Sequence, residues 1–136
     1  MTLPEKYYMS LPAQLRPIQK KLISASQRKY EATGKVEARP KVSNQKVPRS
    51  QHAKLFESKY GFSVSELDKV KKLFPDTDVD TILSKGRAAY MSSGSRPNTT
   101  PEAWAKARLA SALTGGKAYK IDKSHIGPKS KAVVFG

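Results

Sequence analysis

Apolar residues recur at helical spacing in several short stretches of this chain, each bounded by residues that start or stop helices. Leu11, Leu15, Ile18, Leu22 and Ile23 form the first such stripe, with Lys20, Lys21, Arg28 and Lys29 around it. Ser10 is the expected N-cap of this helix and Pro12 falls in its first turn. Pro17 should kink the helix or delay its start, and Gly34 should stop it. Residues 35–50 carry Pro40, Pro48 and isolated valines, too little apolar surface to fold alone, so they read as an extended arm. Val36–Val47 contains the chain's best material for an edge strand, although no sheet is expected.

From Ser50 the pattern becomes denser. A helix is expected over Gln51–Tyr60, with Phe56 and Tyr60 on one face and Gly61 as its stop. Ser63-Val-Ser-Glu66 fits a capping box before Leu67, Val70, Leu73 and Phe74, and Pro75 ends that stretch. Asp76 or Thr77 is expected to cap the next helix, whose apolar face is Val79, Ile82, Leu83, Ala89 and Tyr90. Asp78 and Asp80 fall in its first turn, favoured there by the helix dipole. After the loop Ser92-Ser-Gly-Ser-Arg-Pro-Asn98, Thr100 caps a helix with Pro101 at its first position. Trp104, Ala107, Arg108, Leu109 and Ala112 line it and Gly115-Gly116 closes it. Asp122–Ile126 is one further turn, and residues 129–136 read as a tail whose Val-Val-Phe docks on a neighbour.

The expected fold class is therefore all-α, a small helical domain with an extended, basic N-terminal arm and a short C-terminal tail. Residues 1–49 would be the arm (a kinked helix plus an extended strap), 50–127 the compact helical domain and 128–136 the tail.

Charge changes this picture more than composition does. The net charge is +15, and 11 Lys/Arg against three acids in residues 1–50 make the arm the denser part. Such a field attracts phosphate polymers, anionic membranes or acidic protein surfaces. Without cysteine there is no disulfide or thiolate metal site. No apolar run approaches the roughly 18 residues that span a bilayer. Residues 1–8 lack a signal-peptide core, so the expectation is a soluble protein made outside a secretory pathway.

Candidate chemistry is thin. Asp76-Thr-Asp-Val-Asp80 imitates the start of a calcium loop, but Thr81 stands where that loop needs Gly and Arg87 where it needs Glu. Gly115-Gly-Lys117 lacks the upstream Gly and the following Ser or Thr of a P-loop, and it closes a helix where a P-loop opens one. His52 and His125 belong to no metal or nucleophile spacing. The expectation is no enzyme, no cofactor, no metal and no small-molecule substrate.

The segment 86–117 carries the only Trp, a Gly-Ser-rich loop and three arginines. Arg87, Tyr90, Gly94, Arg96, Pro97, Trp104 and Arg108 are its structural set. One reading is an anion clamp with aromatic stacking. The favoured reading makes Tyr90 and Trp104 core and has the arginines fasten the loop to helix ends. In the arm, Lys and Arg come singly or in pairs among Leu, Ile, Val and Pro. This suits a strap in protein grooves better than a nucleic-acid tail, with DNA contact the alternative. The partner-binding candidates are Leu15, Ile18 and Leu22 as anchors, with Arg16, Lys20, Lys21, Lys41 and Arg49 as charges.

Phe56-Glu-Ser-Lys-Tyr-Gly61, Ile82-Leu-Ser-Lys-Gly-Arg-Ala-Ala-Tyr90, Ser92-Ser-Gly-Ser-Arg-Pro-Asn98 and Pro101-Glu-Ala-Trp-Ala-Lys-Ala-Arg-Leu-Ala-Ser111 carry a resemblance over about Pro40 to Lys123. The chain resembles a family of small basic proteins of nucleocytoplasmic large DNA viruses, algal and giant viruses among them. The arm over Leu3–Val47 matches less well. The resemblance implies a virion protein made in the host cytoplasm and brings no catalytic residues. On that basis the expected function is a minor capsid (cement or strap) component. It would hold major capsid proteins together from the inner side of an icosahedral shell, with other minor capsid proteins as neighbours and viral DNA or an inner membrane within reach. The alternative is a virion-packaged nucleic-acid-binding protein that neutralises genome charge.

Overall fold

The computed structural model describes residues 3–43 and 50–136, and among these every regular element is helical. The α-helices are α1 (Arg16–Thr33), α2 (Gln51–Tyr60), α3 (Leu67–Leu73), α4 (Val79–Ser93), α5 (Pro101–Leu113), α6 (Lys117–Asp122) and α7 (Pro128–Phe135). Short 3-10 turns occupy Glu5–Tyr7, Ala13–Leu15 and Lys123–His125. The all-α expectation holds. Residues 36–43, the described part of the expected edge segment, form no strand.

Local signals set most helix ends. Ser50 Oγ accepts the His52 N–H at the start of α2, and Thr100 Oγ1 accepts the Ala103 N–H at the start of α5, 3.1 Å away. Gly34 and Gly61 close α1 and α2 in the left-handed region, at φ 70° and 79°. The first helix departs from expectation at its N-terminus. Ser10 caps nothing, and a 3-10 turn after Pro12 precedes a helix that begins at Arg16. Pro17 lies in the first turn of α1, where its missing N–H costs nothing, so it delimits the helix and no interior kink arises. The capping box is half formed. Ser63 N–H donates to Glu66 Oε2, but Ser63 Oγ accepts from Ser65 N–H, and α3 starts only at Leu67.

Two caps overturn the sequence reading. Asp78, neither Asp76 nor Thr77, caps α4, its carboxylate accepting from Thr81 N–H and Oγ1–H. The Thr77 hydroxyl is buried without a hydrogen-bond partner. Asp76 instead caps α7, accepting from Lys129 N–H and Ser130 N–H at 2.8 Å each and from the Ser130 hydroxyl. Residues 128–135 are consequently a helix, where a tail was expected. A Cβ on Gly127 would overlap the Asp76 carboxylate, which occupies the space that any side chain there would need.

The Ser130 hydroxyl first, then the backbone N–H groups of Lys129 and Ser130, hold the Asp76 carboxyl below its ordinary pKa. A depressed carboxylate contributes stability above its unfolded pKa, near 4, and loses it as pH falls through the folded value. Asp76→Ala should therefore lower the urea midpoint at pH 7. The gap between the two proteins should narrow steadily below about pH 4. A gap that stayed constant down to pH 2 would show that the cap does not act through the ionised carboxylate.

The chain divides into two compact units. One comprises Met1–Pro48 and Arg87–Trp104, the other Arg49–Gly86 and Ala105–Gly136, so the boundary falls inside both α4 and α5. These bounds differ from those of the arm, domain and tail read from sequence. The N-terminal segment packs with 87–104, and the last nine residues belong with the second unit.

In the second unit Phe56, Val70, Phe74, Ile82, Leu109, Leu113, Ile126 and Val134 make the core, all essentially inaccessible. Phe56 meets Tyr60, Phe62 and Phe74 at ring centroid distances of 4.8, 5.5 and 6.4 Å, and Tyr60 Oη donates to Leu113 O. Burial pushes the Tyr60 phenol up to about 12. The first unit has a smaller core of Tyr7, Leu11, Ile23, Tyr90 and Met91, with buried Gln19, Arg39, Ser95 and Thr99 among them.

Candidate functional site

In the first unit the loop 92–100 collects polar contacts from several other segments. α4 ends at Ser93, and Gly94 follows at φ 92° with Ile23 and Tyr7 side-chain atoms 3.1–3.4 Å from where a Cβ would be. Pro97 is buried, and Asn98 takes the left-handed conformation at φ 62°, which a short amide side chain tolerates. From α1, Gln27 Nε2 donates to Ser92 O at 2.8 Å and Gln19 Nε2 approaches Ser95 O at 3.5 Å. From the segment after α1, Val42 N–H donates to Asn98 Oδ1 at 2.9 Å, while Asn98 Nδ2 donates to Ser43 O and Oγ.

Arg39 enters the middle of this arrangement. Its Nη2 donates to Ser95 Oγ at 2.6 Å, its Nη1 to Tyr90 O at 3.0 Å and to Ser26 Oγ at 3.3 Å. The guanidinium lies 3.8 Å from the Tyr90 ring centroid, and the Arg39 backbone N–H donates to Tyr90 Oη, which in turn donates to Thr99 O. Its acceptors are all neutral, and burial pushes the guanidinium down from its ordinary pKa. The same burial raises the Tyr7 phenol, against the pull of Arg39 and Arg96.

The sequence set is thus only partly united here. Tyr90, Gly94 and Pro97 are in the loop's packing, Arg96 is exposed, and Trp104 is half-buried with its ring edge-on to Tyr7 at 5.9 Å. Arg87 forks onto Glu102, at 2.5 and 3.2 Å. Arg108 lies in the other unit and pairs with Asp122. The arginine that fastens the loop is Arg39, which sequence reasoning missed. A single arginine before Pro40, in an arm read as exposed, gives no periodic signal of burial.

The partner candidates fall differently. Leu15 and Leu22 are half-buried, whereas Ile18 is 47% exposed. Arg16 Nε donates to Leu11 O at 3.0 Å, and Lys20 Nζ sits 4.2 Å from the Tyr8 ring centroid, so both are partly committed within the unit. Lys21, Arg28 and Lys41 are exposed, and Arg49 lies outside the described residues. Ile18, Lys21, Ala25 and Arg28 follow one another at helical spacing along the solvent side of α1.

A second polar cluster lies in the other unit. Asp122 is fully buried, and Arg108 meets it in a fork with both N–O distances at 2.9 Å. Lys85 Nζ lies 3.7 Å from the same carboxylate and 3.2 Å from His125 Nε2. The hydrogen bond from Arg108 to Asp122 raises the guanidinium's pKa further. No group of three or more His, Cys, Asp or Glu suited to a metal occurs among the described residues. No helix there is long and apolar enough to cross a membrane.

Residues 4–127 match a family model described as a family of unknown function, DUF5824. The chain belongs to that family. The matched residues include the loop, Arg39 and Asp122 and end before α7. No curated protein and no solved structure matches the chain.

Proposed function

We propose that the chain is a structural virion protein, a minor capsid component that straps major capsid subunits from the inner side of an icosahedral shell. The observation that carries this reading is the way the acids are spent. Asp76, Asp78 and Glu66 accept backbone N–H groups at helix starts, Asp122 is buried against Arg108, and Glu102 holds Arg87. Five of the eleven carboxylates are engaged in these contacts, while Lys21, Arg28, Lys35 and Lys41 stand exposed, so cations dominate the surface of a chain whose net charge is +15. Ile18 beside Lys21 gives α1 an apolar anchor with a basic rim, the composition of a surface that seats on an acidic protein groove. The resemblance to a family of large DNA viruses supplies the setting.

The same stripe favours one other reading, a packaged protein that neutralises genome charge, because Lys21 and Arg28 put two exposed cations on one face of α1. Particles disrupted in graded steps, with this chain followed by mass spectrometry, separate the two. Release with shell fragments, indifferent to nuclease, is the expected result. Release by nuclease or salt with the genome core selects the second reading, and absence from particles defeats both.

Charge reversal gives a matching prediction. Lys21→Glu with Arg28→Glu should lower affinity for isolated shell fragments by at least tenfold while leaving the circular dichroism spectrum unchanged. Binding of the unaltered protein to duplex DNA should be weak and sequence-blind, and should vanish near physiological salt. Retention of shell binding by the double variant would remove α1 from the interface.

A further inference from the structure

The loop 92–100 treats residues 39–43 as a protein treats a bound peptide. One side chain, Arg39, fills a buried receptacle made by the Tyr90 ring face, Tyr90 O, Ser26 and Ser95. Three residues on, the Asn98 amide reads backbone, accepting from Val42 N–H and donating to Ser43 O. A specificity pocket combined with a main-chain clamp is the working combination of extended-peptide recognition. The segment that precedes residues 39–43 adds little. Residues 35–38 are exposed, belong to no helix or strand, and Glu37 is held by a surface ion pair to Lys29.

The recognising groups named above, Ser26, Tyr90, Ser95 and Asn98, sit on α1, α4 and the loop, so a segment from a second copy finds the same receptacle. Connection to its own α1 raises the effective concentration of the resident segment to roughly the millimolar range typical of short flexible links. An equal concentration of neighbouring copies competes on even terms. We propose that the Arg39 strap is exchangeable: where copies are crowded, residues 39–43 of one copy seat in the 92–100 loop of another and link the two. The linkage depends on no capsid role. It needs a second copy of this chain alone.

Isotope mixing tests it on the full chain. A photo-crosslinking residue replaces the exposed Lys41, and equal amounts of 14N and 15N protein are mixed, irradiated at rising concentration and digested. Crosslinks from position 41 to residues 92–98 that join light to heavy chains are expected to grow with concentration toward about half of the total, the statistical share for free exchange. Only light–light and heavy–heavy products at about 1 mM would overturn the proposal. Arg39→Lys keeps the charge but lacks the fork that reaches Ser95 and Tyr90 O together. It should cut the mixed product at least tenfold, and an undiminished yield would mean that the contact is unspecific and the proposal wrong.

Discussion

Asp122→Ala is expected to cost about 3–5 kcal/mol of folding stability, the loss typical of a buried ion pair deprived of one member. The carboxylate has no solvent exposure, and the Arg108 side chain that forks onto it keeps only 19% of its own. Removing Asp122 therefore leaves a guanidinium in a site with too little water to replace two 2.9 Å hydrogen bonds. Lys85 suffers less, because at 43% exposure it can turn to solvent. Urea denaturation at pH 7 reads the loss directly. A second variant separates charge from volume. Arg108→Met with Asp122→Leu should lose clearly less than Asp122→Ala alone, since the desolvated charges leave together. A single-variant loss below about 1 kcal/mol would mean that Arg108 finds water and that the pair is a surface interaction.

The Asp122 pair also shows where sequence reading reaches its limit. Gly34, Gly61 and Thr100 are legible as stops and cap because donor, acceptor and turn lie within four residues of each other. The same local rule assigns Asp76 to the helix beside it. Its partners lie 53 and 54 residues away, and only folding brings them near. α7 was hidden for a related reason. Val133, Val134 and Phe135 are adjacent, which conceals helical spacing, while the informative pair was Gly127-Pro128 with proline at the first helical position. In the loop, the motif was visible but its tenant was not. Arg87, Arg96 and Arg108 stand close to the loop in sequence, which makes them the local candidates for fastening it, whereas Arg39 acts from 51 to 56 residues away. Buried polar contacts between distant segments leave no periodic trace, so the core was readable and the polar clusters were not.

Gly86→Ala carries the prediction with the sign opposite to the one sequence suggests. Gly86 lies inside α4, where alanine is favoured over glycine by about 1 kcal/mol through backbone entropy. Its φ is not in the left-handed region, so conformation gives glycine no advantage. Space does. A Cβ at this position would stand 2.6 Å from the Ala105 Cα and 3.1 Å from its Cβ. The first contact is with backbone of α5, which cannot rotate aside as a side-chain tip can. Ala105 itself is fully buried in the core beside Leu109. Prising the two helices apart loses close packing along their contact, an overpacking cost of about 1–3 kcal/mol or somewhat more when backbone must move. Set against the entropic gain, Gly86→Ala should be a net destabilisation of about 1–2 kcal/mol, with the helical circular dichroism retained. Gly86→Ser should cost at least as much. If alanine instead raises the urea midpoint, α4 and α5 have room between them at Gly86. The glycine would then be there for another reason than close approach.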